Sequence, residues 1–199
     1  RVIAGHWNMA PKLGKMAVEN EIEAYNLPQG TLAQLFRDIA GKRVGTITHV
    51  GLNTFVDPRI SGGKLNEVTK EDIVKLIEIE GEEKLLYKSF PIDVCFLRGS
   101  SADECGNVTL DREVATLDVN GGKVFVQVER VVSGGCLDPR LVKIPGIYVD
   151  GIVLAEPCDH EQCLGMKFNP AYTGEVRIPL SSIEKAPLNA RKIIARRAA

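Results

Sequence analysis

Long apolar runs, an excess of charge of either sign and a paired cysteine framework are all missing from this sequence. No stretch approaches the roughly 18 apolar residues that a membrane-spanning helix needs, and the longest apolar stretches are short and strand-like. No signal-peptide pattern opens the chain. Lys and Arg number 25 against 26 Asp and Glu, a formal net charge of −1. That balance argues for neither a nucleic-acid nor a membrane-surface partner. Five cysteines, an odd number, stand scattered at positions 95, 105, 136, 158 and 163. Such usage suits a reduced, cytoplasmic setting better than a disulfide framework. Cys158-Asp-His-Glu-Gln-Cys163 reads as half of a metal site, but zinc sites usually show two spaced ligand pairs and no second pair follows. A solvated turn is the preferred reading of Cys158, His160 and Cys163, and no metal is expected.

What is present is ordinary for a globular protein: 44% hydrophobic and 26% charged residues in a chain of 199. That length buries one substantial core. Arg1-Val-Ile-Ala-Gly5 reads as a strand already in progress, which places the natural start upstream. Pro11 opens a helix through about Asn20, since a first-turn proline loses no needed hydrogen bond. Ile22 to Tyr25 is a short strand. From Thr31 to Ala40 the residues Leu32, Leu35, Phe36 and Ile39 fall at helical spacing, with Thr31 as N-cap and Gly41 as the stop. A strand–loop–helix unit therefore surrounds Pro28-Gln29-Gly30.

Thr46 to Val50 is the next strand, with His49 read as a satisfied core histidine. The loop after it is rich in Gly, Pro and Asn and long for a plain connector, and such loops are often functional. Alternation from Val74 to Phe90 around Gly81-Glu82 predicts a β-hairpin. Buried strands follow at Asp93–Leu97, Val124–Val131 and Ile147–Ala155, and the basic stretch Asn189–Ala199 suits an amphipathic helix better than a nucleic-acid tail. Together the pattern predicts an α/β fold with an open, mostly parallel sheet flanked by helices and the additional hairpin region around 74–90.

Six unusual strings occur in order: Gly5-His-Trp7, Tyr25-Asn-Leu-Pro-Gln-Gly30, Gly51-Leu-Asn-Thr-Phe-Val-Asp-Pro-Arg59, Gly62-Gly-Lys64, Arg98-Gly-Ser-Ser-Ala-Asp-Glu-Cys-Gly-Asn107, and Gly135-Cys-Leu-Asp-Pro-Arg-Leu-Val-Lys-Ile-Pro-Gly146. In this register the sequence resembles the family I CoA-transferases, and within them the acetate or propionate type that carries both halves on one polypeptide. The resemblance covers nearly the whole chain. It implies a ping-pong enzyme moving coenzyme A, a substrate rather than a cofactor, from acetyl-, propionyl- or butyryl-CoA to a carboxylate acceptor. A glutamate carboxylate attacks the thioester and passes through a mixed anhydride to a glutamyl-CoA thioester, in a site that excludes water and aims donors at the oxyanion.

The same resemblance implies that the glutamate lies beyond Ala199, since Glu80-Gly81, Glu104, Glu156 and Glu175 do not sit in the context of a strand-end glutamate followed by several glycines. Residues 1–185 then belong to the amino-terminal CoA-transferase domain, its natural start missing, and 186–199 begin the connection to the carboxy-terminal catalytic half. That half is the implied partner, and a homo-oligomer the implied assembly. About ten residues that relatives carry between Val119 and Asn120 read as missing, and a Cα separation of about 3.8 Å there would contradict that. Read alone, Asn120-Gly-Gly122 makes a tight hairpin turn.

Within that frame this chain supplies one wall of the acyl pocket. Gln29 leads: a carboxamide at a strand–helix junction can donate to a carboxylate, with Gly30 letting the backbone approach; otherwise Pro28-Gln29-Gly30 is a solvated helix entry. Gly51, Asn53 and Thr54 line the loop as pocket residues, unless Asn53 only closes an Asx-turn. Arg59 either anchors a carboxylate bidentately or pairs with Asp57. Glu104 and Asn107 support the wall or merely close their turn, while Cys105 and His6 are read as non-catalytic. The reading from a different class is a non-catalytic module for sugar-phosphate-type ligands on the same scaffold.

Overall fold

The computed structural model describes residues 1–111, 122–156, 159, 169–171, 174–185 and 187–198. The chain divides into two units, Arg1–His160 and Glu161–Ala199. In the first, β1 (Val2–Ala4) and β2 (Ala24–Asn26) pair in parallel through the crossover helix α1 (Pro11–Val18). Helix α2 (Gln29–Ala40) follows, then β3 (Gly45–Thr48). The hairpin of β4 (Val74–Ile79) and β5 (Glu82–Lys88) adds to β3 as an antiparallel sheet in the order β3-β5-β4. A five-stranded sheet is completed by β6 (Val94–Asp103), β7 (Val108–Thr109), β8 (Lys123–Val132), β9 (Val142–Ile144) and β10 (Gly151–Leu154), in the order β10-β8-β6-β7-β9. Its strands run parallel through β10, β8 and β6 and antiparallel through β7 and β9. The class is α/β with open sheets: the parallel pair β1 and β2 is joined across a helix, and the antiparallel pairs β4–β5 and β6–β7 across short turns.

The residue pattern explains the packing. Leu32, Leu35 and Ile39 share one face of α2 and are buried with Tyr25, Leu27, Val56, Ile73, Val74, Leu85 and Tyr87. Each such aliphatic side chain contributes about 1.5–3 kcal/mol when fully buried. A second core, Cys95, Ala102, Val108, Val124, Val126, Val128 and Ile144, follows the two-residue period of β8. The hairpin turns through Glu80 and Gly81, both at positive φ (52° and 81°), as a tight two-residue connection requires.

Several expectations are corrected. Helix α2 starts two residues early, with Pro28 rather than Thr31 at the cap position, and Thr31 is buried in the first turn. Pro28 sits at φ −57°, so the ring has already set the chain for helix entry. His49 lies just beyond β3 and is exposed, not a core residue. The strand expected over Ile147–Ala155 is divided into a 3₁₀ turn at Gly146–Tyr148 and β10, because the turn following Pro145 closes with Tyr148 N–H donating to the Pro145 carbonyl (3.0 Å). The 119–120 junction and Cys158, His160 and Cys163 lie outside the described residues. Among the described residues no group of His, Cys, Asp and Glu is arranged to hold a metal ion, and no helix is long and apolar enough to cross a membrane.

In the second unit, helix α3 (Ala190–Ala198) is capped by Asn189, whose side-chain oxygen accepts from the Lys192 N–H at 3.0 Å.

Candidate active site

The register of β1 on β2 places Ala4 beside Asn26, so both strands end at the same edge. The Leu27 N–H donates to the Ala4 carbonyl (3.0 Å), and the chain then turns at Pro28 into α2. Gln29 therefore stands exposed at the carboxyl edge of two parallel strands, the place where open α/β sheets bind their ligands. Its carboxamide oxygen lies over Gly5, the first residue after β1, so closely that a β-carbon there would collide with it. Among the described residues no side chain caps α2, and no acidic residue occupies its first turn. A helix start of this kind presents N–H groups and a positive dipole end, both suited to an anion. Just behind it, the Asn26 side-chain oxygen is buried and finds no hydrogen-bond partner among the described residues. Trp7 turns back instead, its indole N–H donating to the Tyr25 carbonyl at 3.3 Å.

The loop after β3 is organised by Asp57, which is fully buried (0% exposed). Its Oδ2 accepts from the Asn53 N–H (2.9 Å), and its Oδ1 from the Arg59 N–H (3.0 Å). The Arg59 guanidinium forks onto the same carboxylate, Nε to Oδ1 at 3.0 Å and Nη2 to Oδ2 at 2.7 Å, and its Nη1 reaches Glu83 on β5 at 3.0 Å. Arg59, then the Asn53 and Arg59 N–H groups, hold the Asp57 carboxyl well below the usual carboxylate range against the opposing effect of burial. Thr54 donates both its N–H (3.1 Å) and its hydroxyl (2.8 Å) to the Gly51 carbonyl. Gly51 is at φ +101°, where a β-carbon would also meet the Tyr87 hydroxyl at 2.5 Å. The Tyr87 phenol, pushed up to about 12 by burial and by the charge of Asp57, donates to the Val50 carbonyl at 2.8 Å. At its far end the loop joins the first cluster: Asn26 N–H donates to the Gly63 carbonyl (2.8 Å), and a β-carbon at Gly63 would press on Leu27.

Glu104 and Asn107 form a second cluster, at the carboxyl edge of the parallel pair β6 and β8. Its centre is Asp103, 2% exposed. Asn107 donates its carboxamide N–H to Asp103 Oδ2 (2.9 Å) and accepts from the Gly146 N–H at 3.0 Å, so it ties the turn to the loop preceding β10. The Asn107 side chain, followed by the Asn107, Cys105 and Gly135 N–H groups, draws the Asp103 carboxyl down against the opposing effect of burial. Glu104 is exposed and accepts from the Gly134 N–H at 3.1 Å. Cys105 is exposed in the same turn.

The loop carrying Gly51, Asn53, Thr54 and Arg59 thus meets the segment that precedes Gln29 and Gly30 through Gly63, which packs on Asn26 and Leu27. Of the two roles open to Arg59, pairing with Asp57 is the one seen. The residue strings do not single out Gly5 or Asp103, and they suggest Asp57 only as a surface partner of Arg59, whereas it is buried. Asp57 did have a signal, because the Asp-Pro-Arg string occurs twice and closes the same way each time. In Asp138-Pro139-Arg140 the Arg140 N–H donates to Asp138 Oδ1 (2.9 Å), and Nη2 lies 2.7 Å from Oδ2. Proline at the second position of a turn, with an Asx carboxylate before it, favours that closure.

The class that emerges is an open α/β scaffold with an uncapped helix start and a clamped loop at its carboxyl edge. Comparison with known proteins gives that class a family. The family model for coenzyme A transferase matches residues 1–155. The chain is similar to the caffeate CoA-transferase of Acetobacterium woodii, with 47% identity over 208 residues, 98% of this chain and 39% of that one. It is similar also to the acetate CoA-transferase YdiF of Escherichia coli strain K12, with 42% identity over 205 residues, 98% of this chain and 38% of that one. A crystal structure of the E. coli O157:H7 acyl-CoA transferase YdiF, in a thioester complex with CoA, superimposes with a TM-score of 0.82 at 41% identity, over 98% of this chain and 38% of that one. This chain belongs to the coenzyme A transferase family. It spans under two-fifths of the length of these relatives.

Proposed function

We propose that these residues form the amino-terminal wall of an enzyme that moves coenzyme A between a short-chain acyl-CoA and a carboxylate acceptor, with a carboxy-terminal catalytic half as partner. The observation that carries the reading is the start of α2, where Gln29 stands exposed at the edge of two parallel strands with no side-chain cap among the described residues and no acid in the first turn. Such a site receives negative charge, and both the attacking carboxylate and the oxyanion formed on the thioester carry it.

In this reading a glutamate oxygen from the carboxy-terminal half attacks the thioester carbon. The C–S bond breaks and CoA leaves as the thiolate. The thiolate then attacks the glutamyl carbonyl of the anhydride, the original acid departs as a carboxylate, and a glutamyl-CoA thioester remains. An acceptor carboxylate reverses the sequence. Gln29 donates from its carboxamide, and the first N–H groups of α2 favour the anionic species over the neutral thioester. Coenzyme A enters as substrate, and no step calls for a metal or a second cofactor. The CoA thioester named for the similar E. coli enzyme supports this chemistry.

The test is a CoA-exchange assay of the complete polypeptide that carries these residues, with acetyl-CoA and propionate varied against each other. Parallel double-reciprocal lines are expected for ping-pong transfer. Intersecting lines, or no exchange with any short-chain pair, would overturn the reading.

A further inference from the structure

Asp57 is a buried carboxylate that the chemistry just described does not use. Its side chain gathers the Asn53 and Arg59 N–H groups and the Arg59 guanidinium, while its own carbonyl accepts from Ile60, Ser61 and Gly62 at 2.9, 3.2 and 3.0 Å. One residue thus fixes both sides of the loop. Burying a charge is costly unless it is paired and hydrogen-bonded. The second Asp-Pro-Arg string shows that the local turn forms without that cost, since the Asp138 side chain is 36% exposed and the Arg140 side chain 89%. In the first string the Asp57 side chain is 1% exposed, and Arg59 carries the connection on to Glu83 of β5. The preceding Val56 is locked into the same core as Leu27, and Gly63 closes the circuit against Asn26 and Leu27.

We propose that Asp57 is a positioning residue for CoA transfer: clamped between Asn53 and Arg59, it sets the 51–63 loop against the end of β2, and so fixes the wall beside Gln29 that the substrate meets. Asp57 itself touches no reacting atom. The inference rests on the CoA-transfer reading, and the experiment separates the two.

The complete polypeptide is compared with its Asp57→Asn and Arg59→Gln variants, measuring kcat and KM for acyl-CoA and acceptor together with amide hydrogen exchange over 51–63. Wild type must first exchange CoA; if it does not, the CoA-transfer reading fails and this inference falls with it. Given exchange, Asp57→Asn is expected to raise KM at least about 10-fold, because small misplacements of a binding wall are expensive. Arg59→Gln is expected to do the same more weakly, and both variants to speed exchange at Asn53 and Gly62 while the β6 and β8 amides stay protected. A loss of active enzyme with KM unchanged would mean a merely structural role and overturn the proposal. Unchanged hydrogen exchange in the loop of Asp57→Asn would overturn it independently of any assay.

Discussion

The carboxamide oxygen of Gln29 rests over Gly5, in space that any side chain at position 5 would take. Two residues 24 positions apart meet because β1 and β2 run parallel in register, ending together at Ala4 and Asn26. Gly5 is not needed for an unusual backbone angle, since it is absent from the positive-φ glycines. Its value is the missing β-carbon. Gly5→Ala is therefore expected to displace the Gln29 side chain and lower CoA exchange by roughly 10–100-fold, at a stability cost of about 1–3 kcal/mol for overpacking. Steady-state kinetics beside thermal denaturation check it. An activity matching wild type would show that the Gln29 position is immaterial.

Gln29 itself is expected to behave as a donor. In the proposed role, Gln29→Ala would remove one hydrogen bond aimed at developing charge, with an expected loss of about 10²–10³ in kcat. Gln29→Glu keeps the length but puts an anion where the proposed function places one, so it should be the worse of the two. Measured kcat for both variants decides this, and an alanine variant with full kcat would assign Gln29 to the solvated helix entry.

Much of this architecture is legible in residue order and some is not, and the division has physical causes. The α2 face, the alternation of Val124, Val126 and Val128, and the hairpin around Gly81 are local periodicities, and all of them appear in the structure. The motif strings lead to the coenzyme A transferase family, and the family model agrees. The helix start moved to Gln29 because proline geometry outweighed the capping preference of Thr31. The central places of Asp57 and Asp103 are not legible in the sequence, because burial of a carboxylate is a tertiary fact. A residue string does not reveal that Asp57 lies buried beneath Arg59, although the repeated Asp-Pro-Arg string shows how the local turn closes.

Those two carboxylates make a prediction about acid. Each has a carboxyl drawn below its ordinary value, Asp57 by Arg59 first and Asp103 by Asn107 first. A depressed folded-state value means stability that is fully present above the unfolded carboxylate value of about 3.9 and is lost as pH falls toward the folded value. The melting temperature should be flat from neutral pH to about 5, then fall below about 4. Asp57→Asn and Asp103→Asn should each start lower and fall less steeply over that window. A melting temperature that declines as pH rises from 5 to 7 would contradict the assignment.

Asn107 offers a separate test of the second cluster. Its side chain is the hydrogen-bond bridge between the buried Asp103 and the Gly146 N–H. Asn107→Ala leaves Asp103 without its strongest neutral donor and Gly146 without an acceptor. A cost of about 2–4 kcal/mol is expected from two unmade bonds, one of them to a charge. Asn107→Asp should cost more, because a second carboxylate would face the first. Denaturant unfolding measures both, and a loss under about 0.5 kcal/mol for the alanine variant would be that of an ordinary surface site.

The last prediction concerns Gly51 and Tyr87, which share one small space. Gly51 holds φ +101°, a region side chains rarely adopt, and a β-carbon there would collide with the Val56 side chain and lie 2.5 Å from the Tyr87 hydroxyl. Gly51→Ala thus combines backbone strain with a steric clash, and about 2–4 kcal/mol of destabilisation is expected. Tyr87→Phe removes the hydroxyl and its 2.8 Å bond to the Val50 carbonyl, for about 1 kcal/mol. The two costs are not additive. Without the hydroxyl, part of the clash disappears, so the double variant should be less destabilised than the sum of the singles by at least about 0.5 kcal/mol. The strain at φ remains in either background, so the rescue should be partial. A double-mutant cycle by denaturant unfolding measures the difference. Strict additivity would mean that the added methyl escapes Tyr87 by a movement of the loop, and would leave the cost of Gly51→Ala to the backbone and to the Val56 side chain, which a β-carbon there also meets.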